Sequence, residues 1–366
     1  MKLILVKAFV AVLRLLYAPL KKRKTQNKIL WLSRQSDEPS LDMRLLSAEL
    51  TAALPEAKQQ FRLKKLRDES SLTLGYIFSV IGDAFAISTA KVVITDTYSI
   101  PVSCLEHKKG TEIIQLWHAA GAIKKFSLQS VGLEQGRDAA ISEAMCMHKN
   151  YTCVIAPSQS TAKFYAEAFG CSEGIIKICG LPRLDILLDG KDRHAEFIEK
   201  NPRFAGKGIA VYLPTFRDGD GEYADALRKA FETQDSYELC VSVHPLSKTA
   251  RSDALQGGFD TPDLLKLADI VITDYSACAF EAAALGKKLY FYLPDYEEYK
   301  TGRGLNIDPI SELSAASFTD AAELCNSLGK EYDLTAIKNF AGKYIESRTA
   351  DNAARLAKIV KEVYER

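Results

Sequence analysis

ADIVITDYSACAFE, residues 268–281, joins a short apolar run to a polar turn and then to a stretch of small residues. The β-branched run 270–272 predicts a fully buried strand, and the small residues from Ala277 predict a helix. Such a turn lies at the carboxyl end of a parallel strand, where the unpaired N–H groups of the following helix attract phosphate oxygens. Ser276 is the natural N-cap of that helix, and on these residues alone a cap is a simpler interpretation than a ligand.

Strands and helices alternate on both sides of this stretch, which predicts parallel sheets covered by helices. The predicted strands are 28–32, 92–95, 112–117, 151–156, 175–179, 208–213, 238–243 and 288–291. The predicted helices are 41–53, 137–148, 160–169, 223–231 and 263–267, followed by closing helices to Arg366. A chain of 366 residues exceeds what one core usually organises, so we expect an α/β protein with two domains.

The domain boundary is predicted within 189–206, where Gly, Pro and charged residues concentrate. The chain is thereby divided into a basic N-terminal segment, 1–26, a first Rossmann-like domain, 27–195, and a second one, 196–366, which includes the closing helices. Two doubly wound domains of this kind are expected to face a central cleft.

Composition excludes several classes of protein. The formal net charge is +1, whereas a nucleic-acid-binding domain carries a basic excess, so we expect no nucleic-acid partner. The eight cysteines include no C-x-x-C pair, and no histidine cluster has ligand spacing. We therefore expect reduced thiols rather than a zinc site or a disulfide framework.

The first 24 residues have a charge pattern of their own. Residues 1–20 contain only three charged side chains, all basic, and four basic residues occupy 21–24. No uncharged run approaches the roughly 18 apolar residues of a spanning helix, so none is predicted. Lys7 and Arg14 lie a heptad apart, which is typical of an amphipathic helix lying on an anionic membrane surface. The alternative is a helix docked on the protein's own core, but the lack of acidic residues before Asp37 favours the membrane.

QLWHAAGAIKKFS, residues 115–127, places His118 directly after an apolar strand and before a predicted, Gly-containing helix start. An imidazole titrates near neutral pH, so histidine is the usual residue for taking a proton from an alcohol. For a histidine considered alone, a structural role at the helix start is the simpler alternative.

VSVHPLSK, residues 241–248, has a second histidine at a strand end. His244 ends the predicted strand, the following proline turns the chain away, and Lys248 lies one turn beyond. This arrangement is suited to binding an anion.

YLPTFRDGD, residues 212–220, places Thr215 and Arg217 after the first strand of the second domain. A guanidinium group can bind phosphate with two parallel hydrogen bonds. Asp218 and Asp220 resemble a D-x-D metal pair, but D-G-D is also ordinary turn chemistry, which we favour. Histidines, cations and hydroxyls thus stand at the carboxyl ends of strands in both domains, which predicts a shared anion-binding site.

Several segments are similar to the ordered motifs of one enzyme family. WHAAGAIKKFS resembles a W-H-G-x-x-x-K signature, and PTFRD, HP and TDYSACAFEAAALGKKLYFYLPDYEEY resemble later signatures, of the CDP-glycerol glycerophosphotransferases. These enzymes prime or polymerise wall teichoic acid and related polymers. PSQST at 157–161 and GLPRLD at 180–185 resemble the family's connecting motifs. Ala119 and Ala277 depart from the pattern, since the family usually has Gly and a second Ser there.

The resemblance implies a GT-B-like fold whose second domain binds a CDP-polyol. It implies that an acceptor hydroxyl attacks the β-phosphorus of CDP-glycerol and expels CMP, which requires positioning and charge stabilisation. His118 and His244 are then the catalytic residues, with His118 as the base in the acceptor-side domain. The predicted substrate-binding residues are Ser158, Thr215, Arg217, Lys248, Thr273, Asp274, Ser276 and Glu281. No metal or other cofactor is predicted, because the cationic side chains suffice to neutralise the pyrophosphate.

Two of these roles have alternatives. Glu281 either accepts hydrogen bonds from ribose hydroxyls or is a solvated helix carboxylate. Asp274 either orients His244 or merely ends its strand.

The acceptor implied by the resemblance is a saccharide linked to a polyprenyl diphosphate in the cytoplasmic leaflet. We therefore expect a peripheral protein on the cytoplasmic face of the cell membrane. A primase that adds one unit is favoured over a polymerase, because little of the chain lies outside the catalytic unit. The alternatives are CDP-ribitol as donor, a GT-B glycosyltransferase that uses a nucleotide sugar, and a non-catalytic lipid-surface module.

Overall fold

The computed structural model describes residues 1–66, 74–191, 193–216, 220–243, 247 and 251–366, without the side chain of Asp220. The chain forms two compact units, each with its own parallel sheet. Unit 1 comprises Met1–Ala119, Lys125–Arg183 and Asp351–Arg366, and unit 2 comprises Ala120–Lys124 and Leu184–Ala350. The predicted GT-B-like α/β class, with two Rossmann-like units and an N-terminal helix, is confirmed.

Six parallel strands form the sheet of unit 1 in the residues that the structure describes. They are β1 (Lys28–Ser33), β2 (Lys58–Leu63), β3 (Val92–Thr95), β4 (Glu112–Gln115), β5 (Cys153–Ala156) and β6 (Ile176–Ile178). Their spatial order is β2-β1-β3-β4-β5-β6. β1, β3 and β5 are buried at every position, as their apolar residues predict. β2 was not predicted, because KQQFRL is a half-exposed edge strand without an apolar run.

The helices of unit 1 include one from the far end of the chain. They are α1 (Lys2–Tyr17), α2 (Leu41–Ala53), α3 (Leu74–Ile87), α4 (Ile100–Cys104), α5 (Ala139–Ala144), α6 (Gln159–Phe169) and α16 (Asn352–Tyr364). α16 was predicted to belong to the second domain. Its buried side chains Leu356, Val360 and Val363 instead join the core that contains Ile29 and Trp31 of β1. The C-terminal segment therefore completes unit 1.

α1 continues as a 3-10 helix, Ala18–Lys22, and has two apolar faces. One face is buried against unit 1 through Val10, Leu13 and Tyr17. Arg14 fixes the helix further, because its Nε donates to the carbonyl oxygen of Cys104 at 2.8 Å. The exposed apolar side chains at this end of the chain are Met1, Ile4, Leu5, Val12, Leu15 and Leu16. One face of α1 is thus docked on the protein's own core, as the alternative interpretation expected, and the other face is exposed.

Length and composition alone would allow Lys2–Lys22 to cross a membrane, and no other helix in the described ranges meets both criteria. Core helices and signal sequences meet the same criteria. The expectation against a spanning helix was based on uninterrupted uncharged runs, whereas mean hydropathy over a window tolerates the basic residues within this segment.

Among the described residues of unit 2, five parallel strands form its sheet. They are β7 (Gly208–Leu213), β8 (Tyr237–Val241), β9 (Ile270–Thr273), β10 (Lys288–Tyr292) and β11 (Ser317–Phe318). Their spatial order is β11-β10-β9-β7-β8. The helices of this unit are α7 (Arg183–Leu187), α8 (His194–Lys200), α9 (Asp220–Phe231), α10 (Thr261–Leu267), α11 (Cys278–Ala284), α12 (Tyr296–Gly302), α13 (Pro309–Glu312), α14 (Ala321–Ser327) and α15 (Leu334–Tyr344).

Both sheets have the same strand permutation. In each, the second strand pairs on one side of the first and the third strand pairs on the other side. The direction of winding therefore reverses between β1 and β3 in unit 1, and between β7 and β9 in unit 2. Ligands of open α/β sheets bind in the crevice that such a reversal leaves at the carboxyl ends of the strands.

The predicted helix 137–148 is shorter in the structure, where α5 ends at Ala144. The following backbone has positive φ at Cys146, His148 and Asn150, which residues with a Cβ rarely adopt. The side-chain amide of Asn150 stabilises this loop by donating to three main-chain carbonyls around the end of α4, at 2.8, 2.9 and 3.2 Å. These long-range hydrogen bonds override the local helical pattern.

No helix starts directly after His118, contrary to the prediction. Gly121 instead packs against the ring of Phe280 in α11, where a Cβ at position 121 would lie 2.1 Å from a ring carbon. The neighbouring carbonyl of Ile123 accepts the main-chain N–H groups of Asn306 and Ile307 at 2.7 and 3.1 Å. Glycine is therefore required by close packing within unit 2.

We expect Gly121→Ala to destabilise unit 2, because Phe280 is fully buried and cannot move away from an added methyl group. Overpacking of this kind typically costs about 1–3 kcal/mol. Urea or thermal unfolding would measure the loss. Gly329→Ala is the matched control, since a Cβ there meets nothing within 4 Å. Equal unfolding midpoints for the two variants would contradict the packing argument.

Candidate functional site

The switch point of unit 2 is held together by Asp274, the first residue after β9. Its two carboxylate oxygens accept the main-chain N–H of Thr215, at 2.8 and 3.0 Å, just beyond the end of β7. Asp274 is completely buried. A buried carboxylate must be paired to be tolerated, so this contact fixes the two turns relative to each other. Asp274 therefore does more than end its strand, because it also joins β9 to the turn after β7.

Two predicted threonines lie at the same place. The Thr273 hydroxyl donates to the carbonyl oxygen of Leu213 at 2.6 Å and so closes the ends of β7 and β9. The hydroxyl of Thr215 is buried and has no hydrogen-bond partner among the described residues. A buried hydroxyl without a partner is costly, which makes Thr215 a candidate to bind a ligand oxygen.

Ser276 is not the N-cap of α11, which corrects the sequence prediction. The N-cap is Ala277, without a side-chain hydrogen bond, and the helix begins at Cys278. The Ser276 hydroxyl nevertheless accepts the N–H of Cys278 at 3.4 Å, so it covers part of the helix end. α11 has only seven residues, so its dipole contributes less than the sequence argument assumed.

Glu281 lies in the first turn of α11 and is only 6% exposed. The alternative of a solvated helix carboxylate is therefore not supported by its burial. Three further predicted residues, Arg217, His244 and Lys248, lie outside the described residues, as does Asp218. The predicted contact between Asp274 and His244 falls there as well.

His118 lies three residues beyond Gln115, the last residue of β4 in the sheet of unit 1. Trp117 precedes it with a φ of 58°, a left-handed conformation that costs a non-glycine residue roughly 1–2 kcal/mol. The buried side chain of Gln115 holds this turn by accepting the N–H of Trp117 at 2.9 Å. Its amide nitrogen donates to the Thr97 carbonyl oxygen and the Tyr151 hydroxyl, at 3.1 and 2.9 Å.

The protonation pattern of His118 follows from its contact with Asp96. The Nδ1 atom lies 3.0 Å from the main-chain carbonyl oxygen of Asp96. A carbonyl can only accept, so Nδ1 carries the proton of the neutral ring and Nε2 has the lone pair. His118 is half-buried. The structure thus gives it the tautomer that a general base at Nε2 requires.

Ser158, the remaining predicted residue, caps α6 in unit 1. Its hydroxyl lies 3.1 Å from that of Thr161, whose hydroxyl also accepts the Ser158 N–H and donates to the Ser158 carbonyl. Ser158 is buried, and these contacts account for its polar groups. The structure therefore assigns it a capping contact in unit 1.

Sequence reasoning missed Gln115 and Asp96. Asp96 is buried, its Oδ1 has no hydrogen-bond partner in the described part of the chain, and burial raises its pKa to about 6. A signal for it was present, because the chain reads T-D-T-Y-S after β3 and T-D-Y-S after β9. The third strand of each unit thus ends in the same Thr-Asp pair.

The described ranges contain neither an assembled metal site nor a disulfide bond. No group of three or more His, Cys, Asp or Glu side chains is close enough there to hold a metal ion. All eight cysteines are free thiols. Burial raises the pKa of Cys104, Cys153 and Cys240 to about 12, so these thiols are protonated.

Comparison with known proteins identifies relatives over most of the chain. The teichoic acid ribitol-phosphate primase of Bacillus spizizenii is 28% identical over 304 residues, covering 78% of each chain. The teichoic acid glycerol-phosphate primase of Bacillus subtilis is 26% identical over 331 residues, covering 86% of this chain and 84% of that protein. A solved structure of the wall teichoic acid polymerase TagF superposes with a TM-score of 0.69 at 18% identity, covering 94% of this chain and 90% of that one, which shows a shared fold.

The family model for CDP-glycerol:poly(glycerophosphate) glycerophosphotransferase matches residues 15–362, nearly the whole chain. The motif resemblance found in the sequence is thereby confirmed. The protein belongs to the CDP-glycerol:poly(glycerophosphate) glycerophosphotransferase family.

Proposed function

We propose that this protein transfers glycerol phosphate from CDP-glycerol to a hydroxyl of a polyprenyl-diphosphate-linked saccharide and releases CMP. The proposal rests chiefly on the switch point of unit 2, where the Asp274 carboxylate fixes the Thr215 turn and the Thr215 hydroxyl lacks a partner among the described residues. In a member of this family, such a hydroxyl is suited to donate to a pyrophosphate oxygen. A primase that adds one unit is favoured, because the relatives matched over most of both chains include two primases.

The transfer forms a bond between the acceptor oxygen and the β-phosphorus of the donor. The bond from that phosphorus to the bridging oxygen breaks, and its electron pair leaves with CMP. Positive charge must stabilise the phosphoryl oxygens, because this step offers little covalent chemistry to the protein. We assign that charge to Arg217, Lys248 and His244, with hydrogen bonds from Thr215 and Ser276.

The acceptor proton is taken by Nε2 of His118 in this proposal. The contact of Nδ1 with the Asp96 carbonyl keeps the required tautomer, and the strained Trp117 turn limits movement of the ring.

A donor panel tests the function directly. We expect CMP release when the protein is incubated with CDP-glycerol and a lipid-linked saccharide, and we expect less with CDP-ribitol. The glycosyltransferase alternative predicts release of a nucleotide from UDP-sugars instead. Preference for CDP-ribitol would reassign the polyol, and absence of CMP with either donor would leave the non-catalytic lipid-surface module.

Replacing His118 with alanine should separate chemistry from binding. Loss of a general base lowers kcat by roughly 10²–10⁴-fold. Affinity for CDP-glycerol, measured by titration calorimetry, should stay unchanged because the base acts on the acceptor. His194→Ala is the control, since that histidine is exposed on α8. An unchanged kcat in His118→Ala would remove the base assignment.

We also propose that the protein is peripheral to the cytoplasmic face of the membrane. The outer face of α1 exposes Ile4, Leu5 and Leu15 at 71, 64 and 75% of their surface, beside the basic residues 21–24. An apolar helix face flanked by lysine and arginine is typical of binding to an anionic lipid surface. Such a location would bring the soluble donor to an acceptor that remains in the bilayer.

The double variant Leu5→Glu/Leu15→Glu should release the protein from phosphatidylglycerol-containing vesicles in a sedimentation assay. Glutamate removes apolar area and is repelled by the anionic surface. These substitutions are preferable to deletion of the helix, which would uncover the buried Leu13 and Tyr17. Leu334→Glu, at an exposed leucine of unit 2, is the control. Undiminished sedimentation of the double variant would show that α1 is not the anchor.

A further inference from the structure

Unit 1 has a switch point of its own, between β1 and β3, to which the proposed function assigns no ligand. Arg34 directly follows β1, and Thr97, Tyr98 and Ser99 follow β3. The main-chain N–H of Arg34 donates to the Thr97 hydroxyl at 3.3 Å, so the two strand ends are joined there. This is the crevice in which an open α/β sheet of this permutation binds a ligand.

The Arg34 guanidinium group lies in this crevice and has no acidic partner among the residues that the structure describes. Its central carbon stands 5.1 Å from the centre of the Tyr98 ring. Within the described part of the chain, its buried Nε has no hydrogen-bond partner and no carboxylate forms an ion pair with the group. A buried donor of a charged group is costly to leave unpaired. An anion beside the guanidinium group would balance its charge.

The surroundings of Arg34 are rich in polar groups. A cavity of about 10 Å³, room for one water molecule, is lined by Arg34, Ser33, Lys64, Thr97 and Ser99, and also by Asp83, whose carboxylate is paired with Arg62 at 2.6 Å. These side chains offer hydroxyls and a second cation, and Lys64 is only loosely paired with Asp37 at 3.8 Å. The planar guanidinium favours phosphate because it can donate two parallel hydrogen bonds. The cavity is too small for a phosphate group, so the anion would bind at its opening, next to the groups that line it.

The position of Arg34 relative to the base indicates which phosphate it would bind. β3 lies between β1 and β4, and β4 leads to His118. Neighbouring strands are about 4.8 Å apart, so the ends of β1 and β4 are separated by about 10 Å. An anion at Arg34 would therefore lie at the same carboxyl-terminal end of the sheet as His118. It would be too far from His118 to be the phosphoryl group under attack.

We propose that the crevice between β1 and β3, with Arg34 at its centre, binds a phosphate or diphosphate group of the acceptor. The acceptor class is then a phosphorylated saccharide whose attacking hydroxyl lies near His118. Naming this ligand as the acceptor rests on the proposed function, whereas the anion site itself rests on the geometry of unit 1.

Titration calorimetry with octyl diphosphate, below its micellar concentration, tests the site without turnover. Saturating CDP is present to occupy the donor site, and octyl glucoside serves as the uncharged probe. We expect the wild-type protein to bind octyl diphosphate and Arg34→Gln to bind it at least roughly tenfold more weakly, as for loss of a charged hydrogen bond. Arg34→Lys should give an intermediate affinity, because it keeps the charge and loses the two-pronged geometry.

Arg44→Gln is the matched control, since Arg44 is exposed on α2 of the same unit and should bind as the wild type does. Circular dichroism verifies that each variant is folded, and Arg34→Lys keeps the test informative if Arg34→Gln is not. Binding of octyl diphosphate only when CDP is left out, equal affinity in Arg34→Gln, or no binding by the wild type would overturn the proposal. If the donor panel gave no CMP release, the donor assignment would be rejected, but the result of this titration would still hold because it does not require turnover.

Discussion

The switch point of unit 2 depends on the hydrogen bonds between the Asp274 carboxylate and the main-chain N–H of Thr215. These two residues stand at the ends of β9 and β7, which are neighbours in the sheet although they are far apart in the chain. Because the carboxylate is completely buried, breaking the contact would leave an unpaired charge in the interior. The turns after both strands are therefore held in one arrangement, which places the Thr215 hydroxyl and the Ser276 segment at the same crevice.

The two units use one topology in two ways. The third strand of each sheet ends in a buried Thr-Asp pair, Thr95–Asp96 in unit 1 and Thr273–Asp274 in unit 2. In unit 2 the aspartate acts through its side chain, which receives a main-chain N–H. In unit 1 the Asp96 main-chain carbonyl receives the His118 ring, and the carboxyl group is left with a raised pKa of about 6. One aspartate thereby fixes two turns of unit 2, and the other sets the tautomer of His118 in unit 1.

Residues to which no catalytic role is assigned hold the turn before His118 rigid. The positive φ of Trp117 is tolerated because Gln115 accepts its N–H and because its ring packs on Phe126 and Phe169, at 5.0 and 5.4 Å between ring centres. Strain of this kind persists only where the surroundings over-determine it. Buried His148, whose pKa is lowered to about 3 by desolvation, packs near the same ring and stays neutral, so it adds no competing charge.

The sequence by itself determined the α/β class, the buried strands and the polar residues that follow them, because apolar periodicity and turn chemistry are local properties. Its motifs also determined the family. Only the tertiary structure decided the strand order, and with it the two crevices, the N-cap at Ala277 in place of Ser276, and the membership of α16 in unit 1. Gly121 is explained only by its contact with Phe280. Each of these depends on contacts between residues distant in the chain, and a local pattern carries no information about which distant residue will be the neighbour.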